Sequence, residues 1–209
     1  MEPVAARRAA ARRRRKVLAA GHAGSADEAR RGLADPQPSV QAAAVGALAR
    51  AGALTVPDIA SAMQGAVAVR RRAVQAAPSV RGPGSRSVLC VVMERALEDP
   101  DPLVAVGAAW FLAERRVRSA VGALATMASG HADTRCREAA AAALGAIGDP
   151  EGLAAVLGAL DDKPTVRRRA TVALAGFDDP EVDAALRRAA GDRDWQVRQA
   201  AEELLGPEG

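Results

Sequence analysis

The sequence contains no tyrosine, two phenylalanines and two tryptophans, so a 209-residue chain must fill its interior with Ala, Leu and Val. Ala and Leu are strong helix formers. No segment alternates in the Val/Ile/Thr/Tyr-rich manner of a half-buried strand. The expected class is all-α. Lysine is almost absent as well: 27 arginines stand against Lys16 and Lys163, a skew that suits GC-rich codons and accounts for part of the alanine. Cys90 and Cys136 are too few and too scattered for a disulfide framework or a zinc site. No apolar run reaches the length of about 18 residues that a membrane span requires. The charged N-terminal block is not followed by an apolar stretch, so no secretory signal is expected. Arg-rich, acid-poor starts also resemble organelle transit peptides. A reducing, cytoplasmic setting fits best.

Charge is distributed unevenly. The net charge is +4, yet residues 1–20 alone carry +6 and the remaining 189 sum to −2. The body therefore lacks the body-wide basic footprint of a nucleic-acid-binding protein. Residues 1–24 read as a basic N-terminal extension, with Arg12, Arg13, Arg14, Arg15 and Lys16 as candidates for anion binding. Three readings stay open for it: a solvated extension, an arm for nucleic acid or another anionic surface, or a helix capping the first repeat.

The rest of the chain is repetition. A triplet of small or aliphatic residues at offsets 0, 4 and 8 recurs as Val40/Ala44/Leu48, Val104/Ala108/Leu112, Cys136/Ala140/Leu144, Val166/Ala170/Leu174 and Val197/Ala201/Leu205, with a weaker copy at Val69/Ala73/Ala77. The anchors are 29, 35, 32, 30 and 31 residues apart, giving six units across residues 25–206. These offsets lie on one helical stripe, with each anchor in a first turn. Asp101-Pro102, Asp133 and Asp194 supply N-caps, and Pro38 and Pro164 fill the first helical position. A shorter helix precedes each such segment, at residues 55–64, 86–97, 118–128, 151–160 and 181–190. Glycine and Asp-Pro breaks separate the two. Neither helix can bury its stripe alone, so units must stack. The segment 78–87 (PSVRGPGSRS) reads as a loose inter-repeat loop.

LEDPDPLVAVGAAWFLA, REAAAAALGAIGDPEGL and LDDKPTVRRRATVALAGFDDPEV resemble HEAT-like repeats of the short, phycobilisome-lyase-related type. The resemblance implies an α-solenoid of about six helix pairs over residues 25–206, whose second helices line a concave face. Positions two, five, six and nine after each anchor are then expected to face it. They include Arg71, Val106, Trp110, Glu138, Arg168 and Gln199, a small-residue, rather apolar surface with Trp110 near its middle. An exposed aromatic in a shallow groove is a usual interface anchor, which points to an unidentified protein or peptide partner. The competing reading tucks Trp110 under a neighbouring helix. Trp195 is expected to cap the end of the solenoid.

The run Arg167-Arg168-Arg169 invites a nucleic-acid reading, but at 100° per residue the three diverge. Arg168 points away from the buried stripe, and its counterparts Ala42, Arg71, Val106, Glu138 and Gln199 form no basic track. Arg167 follows Asp161 by six residues, and Arg198 follows Asp192 likewise. The resemblance implies a structural ladder of such acid–guanidinium pairs, in which Asp35 would bind Arg70 and Asp99 would bind Arg137. His131 stands in an acid slot of this ladder and Cys136 in an anchor slot, so both read as structural. Cys90 is likewise expected to be buried.

Some proteins built from such repeats are enzymes. The iron-binding His-Glu pairs of deoxyhypusine hydroxylases fall two and three positions after the anchor, where this chain holds no such pair. Trp110 and Glu138 do not make the aromatic, basic groove of the HEAT-like DNA glycosylases, and nothing marks a tetrapyrrole site. No catalytic residue, metal or cofactor is expected. The sequence reads as a non-enzymatic scaffold, with a nucleic-acid-associated factor using the tail and Arg71/Arg168 as the alternative.

Overall fold

The computed structural model describes residues 4–206. Among them the regular elements are helices: α1 Val4–His22, α2 Ala26–Arg31, α3 Pro38–Arg50, α4 Val56–Ala62, α5 Val67–Ala76, α6 Ser85–Ala96, α7 Pro102–Glu114, α8 Val121–Gly130, α9 Thr134–Ile147, α10 Leu153–Gly158, α11 Pro164–Ala173, α12 Pro180–Ala189 and α13 Trp195–Leu205. Short 3₁₀ turns extend several of them. Each repeat is a short first helix and a longer second helix, from α2/α3 to α12/α13. The fold class is an all-α repeat solenoid.

Local chemistry sets the boundaries. Asp101, Asp133 and Asp194 have extended backbones, and their carboxylates accept from the first free N–H groups of α7, α9 and α13. Pro38, Pro102 and Pro164 occupy the first helical turn, where no N–H is needed. Thr55 and Asp58 form a reciprocal capping box at α4. Arg30 of α2 then binds the same Asp58 carboxylate at 2.6 and 2.8 Å.

The chain divides into two compact units, residues 1–92 and 93–209, with the division inside α6. In the first unit α1 packs on α3 and α3 on α5; in the second α7 packs on α9, α9 on α11 and α11 on α13. Second helices thus stack on second helices in chain order. The six anchors Val40, Val69, Val104, Cys136, Val166 and Val197 are all buried. The segment after α5 is less loose than its sequence suggests: a 3₁₀ turn covers Ala77–Ser79, Val80 is buried, and Arg81 donates to the Pro78 carbonyl.

Stacking is close because the residues at the helix crossings are small. A Cβ added at Gly145 of α9 would lie 2.6 Å from Ala173 Cα of α11. The same approach recurs in the first unit, where a Cβ at Gly21 of α1 would lie 2.7 Å from Ala47 Cα of α3. Gly145 is nine residues after its anchor and Ala173 seven after its own; Ala47 is seven after Val40. Gly21 therefore assigns the anchor slot of α1 to Arg12. Helix α1 packs in the register of a second helix from a preceding repeat, burying Ala10, Val17 and Ala20.

Replacing Gly145 by valine forces the α9 and α11 backbones apart, and overpacking of this kind costs about 1–3 kcal/mol. The variant is expected to unfold at a lower denaturant midpoint than the wild type, whereas Gly158→Ala, with open space around its Cβ, should not.

Candidate functional site

Two of the features expected from the sequence are a structural arginine–acid ladder and a recognition face around Trp110. The ladder exists, with a different pairing. Arg167 Nε and Nη2 donate to the Asp192 carboxylate at 2.8 and 2.7 Å, and its Nη1 donates to the Asp162 carbonyl at 2.9 Å. Arg137 does the same one repeat earlier, reaching Asp162 at 2.6 and 2.8 Å and the His131 carbonyl at 2.7 Å. Arg13 of α1 grips Asp35 at 2.6 and 3.2 Å. Each guanidinium thus closes its own turn or helix onto the acid of the following repeat. The acid in turn accepts a backbone N–H from Gln37, Lys163 or Asp194.

The expected partners are corrected accordingly. Asp35 binds Arg13 and not Arg70, which donates to the Gly65 carbonyl. Arg137 binds Asp162 and not Asp99, whose carboxylate accepts from the Asp101 N–H. Arg167 binds Asp192 and not Asp161, which is exposed. Arg198 donates to the Asp192 and Arg193 carbonyls, leaving the Asp192 carboxylate to Arg167. The geometry is forked and bidentate, which lysine could not reproduce.

Where the donor is missing, the acceptor one repeat on is missing too. Ala105 stands one after its anchor, and His131 stands where the next acid would be. The His131 Nδ1 accepts the Asp133 N–H at 3.0 Å, replacing a carboxylate oxygen in the turn. Gln41 stands in the same donor slot of α3, binds the Asp35 carbonyl at 2.7 Å, and lines one small cavity with Gln64.

The arginines hold the Asp35, Asp162 and Asp192 carboxyls below the ordinary range through direct hydrogen bonds. Asp133, held by Arg135, falls to about 2. Cys136 is buried with its thiol pushed up to about 11, chiefly by burial. That value suits an anchor and makes a poor nucleophile. Cys90 is half-buried, not fully buried as expected. Among the described residues no group of three or more His, Cys, Asp or Glu side chains is placed to hold a metal ion.

The second feature is a groove of about 210 Å³ lined by Leu103, Val106 and Trp110 of α7, Arg135, Glu138 and Ala139 of α9, and Arg169 of α11. Trp110 is 49 % exposed, so it is not tucked under a neighbour. The structure brings Trp110, Val106 and Glu138 together and adds Leu103, Arg135 and Arg169, which sequence reasoning did not select. Leu103 and Arg135 each precede their anchor by one residue and Ala139 and Arg169 follow theirs by three, so the groove is lined from −1, +2, +3 and +6. Of the +5 positions, Val45, Val74, Ala109, Ala141 and Thr171 are buried between helices, which corrects their expected placement on the face, while Glu202 of α13 is exposed. Arg168 and Val172 are exposed on α11. Arg71 lies on α5 in the other unit, and Gln199 on α13 is engaged with Glu203 at 2.9 Å. Trp195 opens α13 and is 62 % exposed.

Known proteins share this architecture. A family model for HEAT repeats matches residues 91–175. The YibA protein of Escherichia coli aligns with a TM-score of 0.61 at 17 % identity, covering 84 % of this chain and 67 % of its own. The complex of CpcE and CpcF of phycocyanin lyase from Nostoc sp. PCC7120 gives 0.58 at 20 % identity, covering 84 % and 74 %. Human deoxyhypusine hydroxylase in complex with glycerol gives 0.50 at 20 % identity, covering 94 % and 78 %. No curated protein matches in sequence. HEAT repeats are thus matched over residues 91–175, and the fold of the described residues is that of HEAT-like repeat solenoids.

Removing Arg167, 5 % exposed, strands the Asp192 carboxylate, and breaking such a buried pair costs about 3 kcal/mol. Arg167→Ala should therefore shift the denaturation midpoint far more than Arg168→Ala, which removes an exposed neighbour. The acids of the ladder have folded-state pKa values below those of the unfolded chain. Their stabilisation is complete above the unfolded value near about 3.9 and is lost as pH falls through the lower folded values. Unfolding free energy measured from pH 6 downward should drop below about pH 4, and Asp192→Asn should show a shallower drop.

Proposed function

We propose that the protein is a non-enzymatic scaffold that holds a protein or peptide segment in the groove around Trp110. The carrying observation is Trp110 itself, half in solvent beside the exposed Leu103 and the apolar wall of Val106 and Ala139. An aromatic left in water at the centre of a groove loses little on its own and gains much when covered. Arg135 and Arg169 line it with Glu138, and the Arg169–Glu138 pair is loose at 3.5 Å. The groove thus suits a segment with an apolar side chain next to an acidic one. A non-catalytic role fits the inert Cys136 thiol and the engagement of the His131 Nδ1 within its own turn. The free cysteines fit a reducing cytoplasm.

Selection of peptides displayed on phage against the full chain should enrich apolar–acidic motifs. Trp110→Ala should lower their affinity at least tenfold while moving the thermal midpoint by no more than a degree or two. Enrichment of no motif, or equal binding by the variant, would remove the reading; a large loss of stability would reassign Trp110 to the core.

A further inference from the structure

The first unit presents a second surface of opposite character. Its stacked helices α1, α3 and α5 contain no aspartate or glutamate, whereas they carry Arg7, Arg8, Arg12 to Arg15, Lys16, Arg50 and Arg70 to Arg72. Some of these cations serve the fold: Arg13 binds Asp35, Lys16 binds Glu28, and Arg70 binds the Gly65 carbonyl. Arg14, Arg15, Arg50 and Arg72 make no ion pair among the described residues, and all four are exposed.

Their placement follows from the register. With the anchor slot of α1 at Arg12, Arg14 and Arg15 stand two and three after it. Arg71 and Arg72 stand two and three after Val69. Between them, at the same two positions on α3, lie Ala42 and Ala43, with Gly46 one turn on. The result is a floor of small residues between two pairs of guanidinium groups. Arg50 and Arg72 converge over that floor: a Cβ at Gly46 would lie 3.5 Å from Arg72 Nε and 3.6 Å from Arg50 Nη1. Two guanidinium groups crowded over one glycine, with no carboxylate between them, form a cradle for a phosphate.

We infer that this face of the first unit binds the phosphate backbone of double-stranded nucleic acid without reading its sequence. Cations on three successive helices match a polyanion that extends beyond one residue, and neighbouring helices stand roughly 8–10 Å apart. Residues 1–92 contain no Phe, Trp or Tyr. The face therefore offers no stacking platform for the bases of a single strand. Among residues 5–22, Val17 is buried and Leu18 half-buried within the unit, so α1 exposes only alanines beside its cations, too small an apolar surface for insertion into lipid. The inference does not depend on the Trp110 groove.

The test is fluorescence anisotropy of the full chain with two unrelated 20-base-pair duplexes, the matching single strands and a poly-glutamate peptide, from 50 to 200 mM salt. The expected result is equal affinity for both duplexes, tighter than for single strands or peptide, falling steeply with salt. The combined variant Arg14→Gln/Arg15→Gln/Arg72→Gln should bind at least tenfold more weakly, with a log–log salt slope shallower by about 2–3, close to one for each arginine–phosphate pair removed. Ala42→Glu, which places an acid on the floor without removing an arginine, should weaken binding to a similar degree. Arg187→Gln/Arg188→Gln on α12, equal in kind but outside the face, and Trp110→Ala should bind as the wild type. No duplex binding at 50 mM salt, preference for single strands or the peptide, or equal losses in the α12 variant would each overturn the inference.

Discussion

Each rung of the ladder is a guanidinium shared between two repeats. One edge of Arg137 or Arg167 closes the turn that precedes its own helix, and the other edge clasps the acid of the next repeat. Small residues alone would let neighbouring helices slide, since Ala and Gly faces offer little to fix register. A planar fork with two fixed donors does not tolerate sliding. The aliphatic anchors supply cohesion and the forks supply alignment. The close approaches at Gly145 and Gly21 are tolerable because that alignment brings a gap in one helix opposite a backbone in the next.

The two units use this frame to present different chemistry. In the second, the exposed positions of α7, α9 and α11 carry an aromatic, aliphatics and mixed charge. In the first, the corresponding positions of α1, α3 and α5 carry Arg14, Arg71, Ser39, Gln75 and small residues, with no acid and no aromatic, and the one large aliphatic, Leu18, is half-buried. The near-neutral average over residues 21–209 conceals this contrast, because the acids of the first unit sit on its short helices and turns, as Asp27, Glu28, Asp35 and Asp58 do. Averages over sequence miss a separation that stacking creates.

Much of the fold is legible in the sequence because it rests on local signals. Asp and Pro caps mark the helix starts, and the 0, 4, 8 triplet marks the buried stripe at all six anchors. The hidden part depends on interactions between repeats. Asp161 and Arg167 have the same spacing as Asp192 and Arg198, yet the true partners are Arg167 and Asp192, because the fork reaches forward to the next turn. Helix α1 is hard to place because its anchor slots hold Arg12 and Lys16 in place of aliphatics. Arg13 one after the anchor and Gly21 nine after it are the available signs. The exposure of Trp110 follows from its place on the helix; Leu103 and Arg135 at −1 and Arg169 at +3 escape a reading confined to +2, +5, +6 and +9.

The donor and acceptor slots of the ladder change together: arginine faces acid across some junctions, while Ala105 precedes His131 and Gln41 precedes Gln64 across others. Each repeat is therefore keyed to its neighbour and not to a consensus. Excising α2/α3 would leave Arg13 facing Gln64 and excising α8/α9 would leave Ala105 facing Asp162, whereas α10/α11, with Asp162 at one end and Arg167 at the other, could be copied or lost with every seam still matched. Such arrays can lengthen without penalty only by copying segments whose two ends already match.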